Sequence, residues 1–285
     1  MTPASVLLTA FASSTEAVAA ASELLTSETL LELTRIAQEA GRAIMEIYAE
    51  RIDVSHKGDK SPVTDADHAA EAIILRGLQR LKLVYPVIAE EEMAAGREPN
   101  TTAGVFWLVD PLDGTKEFIK KNGEFTVNIA LIVDRRPVLG VVHAPAFDRL
   151  WRGLQGPAGS KAEEISKGQV RRIRTRPVPA KGYTIFASRS HASWTNHDLE
   201  DFLEPFRIVE RKQAGSSLKF CLVAEGEADV YPRLAPTMEW DTAAGQAVLE
   251  AAGGSVTTTE GKPFLYGKPG FRNPHFVAWG ERKSA

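Results

Sequence analysis

The sequence is poor in cysteine, in net charge and in long apolar runs, and each shortage excludes a class of protein. The single cysteine, Cys221, excludes an intrachain disulfide and a cysteine-rich zinc site. Because Cys221 lies in an apolar run without a base partner, we expect a buried thiol that has no catalytic role. The formal net charge of −3 is too small to attract nucleic acid or an anionic membrane surface.

The N-terminus lacks the features of a secretory leader and of a membrane span. It has no positively charged start, and Glu16 interrupts its apolar residues well short of the length that crosses a bilayer. We therefore expect no transmembrane segment and a cytoplasmic location, with a peripheral position at the inner membrane as a second interpretation. Residues 1–29 are predicted to be an N-terminal extension, and an ordered first helix is the alternative.

What is present is the composition of a globular protein with two sub-domains. Hydrophobic residues make up 44% and charged residues 25% of 285 residues, which suffices for a sizeable core. Apolar residues at helical spacing predict helices over 27–51 and 66–81, and short β-like runs follow them. We predict an α+β domain with a large antiparallel sheet and most metal ligands over 30–182, and a smaller α/β domain over 183–285. A basic stretch at 167–181 is predicted to be a solvated hairpin and connector.

A hydrophobic strand leads directly into a pair of aspartates. The predicted strand Val105–Val109 is followed by Asp110, and Asp113 precedes Gly114, which permits a tight turn. Both carboxylates and the Leu112 carbonyl can then face one point, as a cage of oxygen ligands that suits Mg²⁺ or Mn²⁺ better than zinc. Taken alone, this spacing is equally compatible with a surface turn that carries acids.

Further acids follow predicted strands or helix starts elsewhere in the chain. Glu90 opens a run of glutamates after a β-like segment, and Asp241 follows Trp240, where it could simply cap a helix. Thr115 could open a helix, so that the N–H groups of Gly114 and Thr115 bind a phosphate. Because close carboxylates repel each other by roughly a few kcal/mol at an effective dielectric of about 20, a cluster of them favours bound cations.

Three separated segments resemble the lithium-sensitive inositol monophosphatase superfamily. They are WLVDPLDGTKEF at 107–118, EEE at 90–92 and WDTAAG at 240–245, which match the family's Asp-Pro-hydrophobic-Asp-Gly-Thr run and its distant Trp-Asp. The resemblance extends from about Leu30 to Trp279. It implies the sugar phosphatase fold shared with fructose-1,6-bisphosphatase, a layered α+β sandwich with alternating α-β-α-β-α layers, and inhibition by Li⁺.

Within that superfamily the chain resembles the CysQ-type 3′(2′),5′-bisphosphate nucleotidases. The segments that carry this likeness are SPVTDAD at 61–67, DGTKEFIKKNGEFTVNIALI at 113–132, SRSH at 188–191 and GSSLKFCLVAEGEADVYPR at 215–233. Lys116 and Glu117 stand where inositol monophosphatases tend to have Thr-Asn. The resemblance implies Mg²⁺-dependent hydrolysis of the 3′-phosphate of adenosine 3′,5′-bisphosphate (PAP) to AMP. It also implies the sulfated analogue PAPS as a second substrate and a place in sulfate assimilation.

The same resemblance implies roles for individual residues. Asp67 and Thr115 match the pair that orients and deprotonates the attacking water. The predicted ligands of two or three Mg²⁺ ions, for which Mn²⁺ could substitute, are Glu90, Asp110, Leu112, Asp113 and Asp241. The predicted substrate-binding residues are Glu90, Leu112, Asp113, Gly114, Thr115, His191, Ser216, Lys219, Arg233 and Asp241.

Several alternatives stay open beside this assignment. Lys219 and Arg233 could be exposed charges that cover apolar surface, and His191 could be a structural loop histidine. An inositol monophosphatase or a broad sugar-phosphate phosphatase is the alternative activity of the same class. A non-catalytic nucleotide-binding regulator is the alternative from another class. Both a monomer and a homodimer are compatible with the sequence.

Overall fold

The computed structural model describes residues 14–49, 54–56, 62–81, 84–156, 159–187 and 196–281. Its α-helices are α1 (Ser14–Ala21), α2 (Ser27–Ala49), α3 (Asp65–Leu78), α4 (Glu90–Ala94), α5 (Thr115–Ile119), α6 (Asn196–Leu203), α7 (Leu218–Ala224) and α8 (Ala243–Ala251). Its strands are β1 (Val54–His56), β2 (Pro62–Thr64), β3 (Val87–Ala89), β4 (Val105–Asp113), β5 (Thr126–Val133), β6 (Arg136–Ala144), β7 (Arg149–Gly156), β8 (Gly159–Ser166), β9 (Gln169–Arg172), β10 (Tyr183–Ala187), β11 (Ile208–Gln213), β12 (Val230–Arg233), β13 (Ser255–Thr258) and β14 (Phe276–Trp279). Short 3₁₀ helices lie at Ser22–Leu24, Pro145–Phe147, Glu239–Asp241 and Pro269–Phe271.

The long helices α2 and α3 form near the predicted positions. The backbone N–H of Thr29 donates to Thr26 Oγ1 at 3.1 Å, which caps α2 at its start. One side of α2 is buried, including Leu33, Ala37 and Ile44, and the two helices pack against each other. None of the helices in the described part of the chain is long and apolar enough to cross a membrane.

The larger sheet has seven strands in the order β3-β4-β5-β6-β7-β8-β9. Neighbours from β4 to β9 are antiparallel, as the sequence predicted. The prediction is wrong for β3, which runs parallel to β4. The chain passes through α4 between these two strands, and such a crossover returns the second strand in the same direction.

The smaller sheet has five strands in the order β11-β10-β12-β14-β13. Strand β10 is parallel to β11 and to β12, whereas β14 is antiparallel to β12 and β13. The predicted alternation of strands and helices accounts for its parallel part. Strand β13, with the sequence Ser-Val-Thr-Thr, is too short and polar to be recognised from periodicity.

The helices and sheets stack as the predicted α-β-α-β-α layers. One core joins α2 and α3 to the larger sheet, a second joins the opposite sheet face to α7, α8 and the smaller sheet, and a third lies beneath α6. Along β5, Ile129 and Leu131 point into the first core and Ala130 into the second. The layered α+β prediction is therefore confirmed.

Two glycines let α8 lie directly on the larger sheet. A Cβ atom at Gly140 of β6 would lie 2.6 Å from the Ala244 carbonyl oxygen, and one at Gly153 of β7 would lie 2.6 Å from the Val248 Cα. Helix α8 thus sits between the two sheets, and the chain entering it carries Asp241. Residues 14–24, within the predicted extension, contribute a helix and a 3₁₀ turn, and Leu24 is buried. The division at residues 29 and 182 stays a prediction.

The predicted basic hairpin at 167–181 forms through β8 and β9. Strand β9 is exposed, as expected of a solvated segment. Two arginines of the 167–181 segment nevertheless make close ion pairs: Arg171 contacts Glu164 at 2.5 Å, and Arg176 contacts Asp229 at 2.9 Å. Both acids are almost fully buried. Glu164 lies on the adjacent strand β8 and Asp229 directly precedes β12, so the segment also connects the edge of the larger sheet to the smaller sheet.

Candidate active site

The aspartate pair lies where β4 leaves regular pairing. Asp110 is paired with Asn128 and Asp113 with Thr126, so two residues of β4 oppose one residue of β5 between these pairs. Such a bulge changes the direction in which the following side chains point. The N–H of Leu112 donates to Asp110 Oδ1 at 3.1 Å, which holds the turn.

Gly114 ends this turn in a conformation that favours glycine. Its φ of 96° is left-handed, and a Cβ atom there would lie 3.1 Å from the Glu124 carbonyl oxygen. Helix α5 begins at the next residue, Thr115, as predicted. The Thr115 hydroxyl donates to the Leu112 carbonyl over 3.4 Å.

The five predicted acidic residues come together around Asp110. Asp110 is buried, and burial raises its pKa well above the usual range, with further upward contributions from four other acids. Those acids are Glu90, Asp113, Asp241 and Asp67. They reach one place because β3 and β4 end side by side, α3 starts beside them, and the 3₁₀ helix Glu239–Asp241 contacts β4.

Asp241, at the end of the 3₁₀ helix Glu239–Asp241, experiences a similar electrostatic environment. Burial raises its pKa well above the usual range, and the charges of Asp113 and Glu90 act in the same direction. The N–H of Met238 donates to Asp241 Oδ2 at 2.8 Å, and the Arg233 guanidinium favours its ionised form. Asp241 therefore holds the start of its own 3₁₀ turn while it lies beside the acid cluster. The simple role foreseen for it, capping the helix that follows, is wrong, because the N-cap of α8 is Thr242.

The donor set suits a hard divalent cation. Buried carboxylates that repel one another are stable together only with compensating positive charge, and oxygen ligands select Mg²⁺ or Mn²⁺. Hydrogen bonds engage Oδ2 of Asp113 and of Asp241, which leaves Oδ1 of each for a cation. Among the described residues, no three acidic, histidine or cysteine side chains already stand in a metal-ligand arrangement.

A loop before α7 reaches across to Asp113. The Ser216 hydroxyl donates to Asp113 Oδ2 at 2.5 Å, and the Ser217 N–H donates to the same oxygen at 2.7 Å. Ser216 adopts a left-handed φ of 53°, which is uncommon for serine. Its hydroxyl also lies 2.6 Å from Thr126 Oγ1. Ser216, predicted to bind substrate, thus contacts a predicted metal ligand.

Sequence reasoning missed Ser217 and Asn128. Asn128 Nδ2 donates to Ser217 Oγ at 3.0 Å, and Ser217 Oγ lies 2.7 Å from the Asp241 carbonyl oxygen. These two buried side chains connect β5, the loop before α7 and the turn that carries Asp241. The one signal in the sequence was Asn128 itself, a polar residue inside the otherwise apolar run of β5, which could have indicated a buried hydrogen-bonding role.

Lys219 is buried rather than spread over the surface. Its Nζ donates to the carbonyl oxygens of Ser216 at 2.7 Å and Ala214 at 3.1 Å, and lies 5.1 Å from the centre of the Tyr231 ring. Burial lowers its pKa to about 8. The alternative that Lys219 is an exposed charge is therefore wrong.

The remaining predicted residues lie at the rim or outside the described chain. Arg233 is partly buried at the end of β12 and reaches the Pro236 carbonyl oxygen over 3.5 Å. His191 lies outside the described residues. Asp67 is buried in the first turn of α3. Beside Asp241 a pocket of about 580 Å³ is of the size that takes a small ligand. It is lined by Pro236, Thr237, Met238, Asp241, Glu260, Arg272, Asn273, Pro274 and His275.

Comparison with known proteins places this geometry among related phosphatases. Residues 26–283 match the model of the inositol monophosphatase family. The 3′(2′),5′-bisphosphate nucleotidase CysQ of Escherichia coli O157:H7 is 46% identical over 248 residues, which cover 86% of this chain and 97% of that protein. The crystal structure of CysQ from Bacteroides thetaiotaomicron is 36% identical with a TM-score of 0.74, covering 90% of this chain and 98% of that chain. The inositol monophosphatase from Anabaena is 26% identical with a TM-score of 0.69, covering 89% and 91%.

Proposed function

Because the chain belongs to the inositol monophosphatase family, we propose that it hydrolyses the 3′-phosphate of PAP to give AMP and phosphate. The resemblance found in the sequence motifs is confirmed, both for the family and for the CysQ-type branch. The observation that carries the proposal is the gathering of Glu90, Asp113, Asp241 and Asp67 around the buried Asp110. The relatives that share this branch bear the name 3′(2′),5′-bisphosphate nucleotidase.

The acids divide into cation ligands and a base. Phosphatases of this family are metal-dependent, typically on Mg²⁺, and here Glu90, Asp110, Asp113, Asp241 and the Leu112 carbonyl would hold the metal. When bound, it neutralises phosphate oxygens and makes water more acidic. We extend the proposal to two or three Mg²⁺ ions, with Mn²⁺ as a substitute.

The chain's own residues then direct the water and the substrate. Asp67 accepts a proton from the attacking water while Thr115 orients it, and the water oxygen forms its bond to phosphorus in line with the breaking bond to the 3′ oxygen. That oxygen leaves with the electron pair of the broken bond and takes a proton from solvent water to give the 3′ hydroxyl of AMP, while Asp67 returns its proton to solvent. The backbone at Gly114 and Thr115, at the start of α5, holds the phosphate oxygens.

The nucleotide is proposed to extend from the acid cluster toward the smaller sheet. Arg233 lies next to Pro236, one wall of the pocket beside Asp241, and supplies a positive charge for the second phosphate. Lys219, whose Nζ holds the carbonyl oxygens of Ala214 and Ser216, is proposed to act on the nucleotide through its positive charge. Ser216 and His191 complete the proposed set of contacts.

Finer assignments are part of the same proposal. We propose that PAPS is a second substrate, that the enzyme removes PAP formed in sulfate assimilation, and that it works in the cytoplasm. Lys116 and Glu117, which directly follow the metal-binding turn, favour a nucleotide over inositol phosphate. The peripheral membrane position and the choice between monomer and homodimer stay predictions.

Phosphate release from PAP and from inositol 1-phosphate, each with and without Mg²⁺, tests the activity. We expect Mg²⁺-dependent release that is faster from PAP. Faster release from inositol 1-phosphate would replace the nucleotidase by an inositol monophosphatase. No release from either substrate, together with binding of PAP, would indicate the non-catalytic regulator.

A matched pair of variants tests the assigned base. Asp67 is buried and Asp65 is exposed on the first turn of the same helix. We expect D67N to lower kcat by at least about 100-fold and D65N to retain activity. Equal loss in both variants would contradict the assignment of the base.

A further inference from the structure

Glu71 is a buried carboxylate for which the proposed mechanism has no use. It lies on α3, is 4% exposed, and accepts two backbone hydrogen bonds from a different helix. Its Oε2 accepts the N–H of Glu91 at 2.8 Å, and its Oε1 accepts the N–H of Glu92 at 3.1 Å. Each oxygen of this carboxylate therefore holds one N–H group at the start of α4.

Helix α4 needs such a cap because it cannot make its own. The first N–H groups of a helix have no partner within the helix, and α4 is only five residues long. The residue before it, Ala89, has no polar side chain, although its extended backbone is the conformation of an N-cap. Glu71 supplies from α3 what Ala89 lacks.

The first residue of α4 is Glu90, a proposed metal ligand, so the two hydrogen bonds also fix its backbone. Glu71 and Asp67 are four residues apart on α3 and lie on the same side of that helix. One helix therefore carries both the proposed base and the group that holds the start of α4. The distance between base and ligand is set by α3.

We propose that Glu71 is a positioning residue that fixes Glu90 relative to Asp67. This inference rests on the proposed metal-dependent hydrolysis. Burial and the charges of Glu91 and Glu92 raise the pKa of Glu71, and the two backbone hydrogen bonds that it accepts oppose this rise. A carboxylate is the group that can accept both N–H groups at once, one on each oxygen, and so hold the start of α4 in a fixed position.

The variant E71Q tests the proposal with little change in size. Its single carbonyl oxygen can accept only one of the two N–H groups, because the amide group is itself a donor. We expect the Mg²⁺ concentration for half-maximal activity to rise by about tenfold, the range found when groups behind metal ligands are altered. The rise in Tm that Mg²⁺ produces should shrink correspondingly, and this readout does not depend on turnover.

Two further variants separate positioning from general destabilisation. Glu250 is a half-buried acid at the end of α8 that accepts two side-chain hydrogen bonds, from Gln155 at 3.2 Å and Gln246 at 2.8 Å. The variant E250Q is therefore the matched control and should keep the wild-type Mg²⁺ requirement. Ala89→Ser in the E71Q background places a hydroxyl at the N-cap of α4 and should restore part of the Mg²⁺ affinity.

The outcomes distinguish the inference from the function on which it rests. Wild-type protein without Mg²⁺-dependent phosphate release would overturn the proposed function. An active wild type with an unchanged Mg²⁺ requirement in E71Q would overturn only the role of Glu71. If E71Q does not fold, the double variant of E71Q with Ala89→Ser decides. If this double variant folds but its Mg²⁺ affinity stays as low as that expected of E71Q, the cap stabilises α4 without positioning Glu90, and the proposed role of Glu71 is overturned.

Discussion

Two regions of this protein bury carboxylates, and the charges that surround these carboxylates differ in sign between the two regions. The first, which we call the arginine cluster, consists of Arg149, Glu164, Arg171 and Glu225. Its two guanidinium groups contact its two acids at 2.5–3.0 Å. The second is the candidate active site, where the charges that act most strongly on the buried Asp110 are those of other acids.

The directions of the pKa shifts show whether neighbouring charges offset the effect of burial on the acids of each region. Burial raises the pKa of Glu164, but hydrogen bonds from Arg171 and Arg149 outweigh it and hold the pKa below its usual value. Burial prevails at Glu225, although Arg149 opposes it. At Asp110 burial and the neighbouring acids act in the same direction. In the arginine cluster the chain itself supplies the opposing positive charge, whereas the charges around Asp110 are those of further acids, which the proposed cation binding would compensate.

Removing the central charge of the active site should give the largest effect. We expect D110N to lower Mg²⁺-dependent release of phosphate from PAP by at least about 1,000-fold. The metal-free variant should nevertheless unfold at a higher temperature than metal-free wild type, because a buried, repelled charge is gone. Phosphate assays and thermal unfolding in EDTA measure both. A variant that is inactive and also less stable without metal would contradict the contrast between the two regions.

Removing a charge from the arginine cluster should do the reverse. We expect R149M to lower the free energy of unfolding by about 3 kcal/mol, because Glu164 and Glu225 stay buried with only Arg171 to neutralise them. The Mg²⁺ requirement should be unchanged. R35M, which breaks the exposed pair between Arg35 and Glu32, is the control and should cost less than about 1 kcal/mol. Equal losses in the two variants would show that the cluster is no stronger than a surface pair.

The sequence allowed the core of the site to be predicted because strand and turn chemistry are local. The apolar run before Asp110 predicts a buried strand, and Gly114 predicts the turn that follows it. The positions of Glu90 and Asp241 after predicted strands and at a helix start suggested that they join the cluster. Their assignment as ligands came from family resemblance, since no local rule brings residues so far apart together. The structure then brings the predicted acids together as expected.

Other features of the fold and of the site depend on tertiary contacts, which local sequence patterns do not indicate. The direction of β3 is set by the crossover through α4, and the contact of Ser217 with Asp113 needs the loop before α7 to pack against the end of β4. Glu71 looks like an ordinary acid on an amphipathic helix. Its partners, the N–H groups of Glu91 and Glu92, carry no sequence information, so its role could emerge only from the structure.

Titration of Glu71 should give the smallest expected effect on stability. It tests whether a buried acid beside the candidate active site lacks the compensation found in the arginine cluster. Burial raises its pKa from 4.5 to about 7, so the folded protein binds this proton more tightly than the unfolded chain does. The favourable contribution of the protonated form is complete below pH 4.5 and is lost as the pH rises through about 7. Relative to E71Q, metal-free wild type should therefore lose up to about 2 kcal/mol of stability between about pH 5 and pH 8. Urea unfolding at several pH values measures this difference, and parallel curves for the two proteins would show that Glu71 is already compensated by its surroundings.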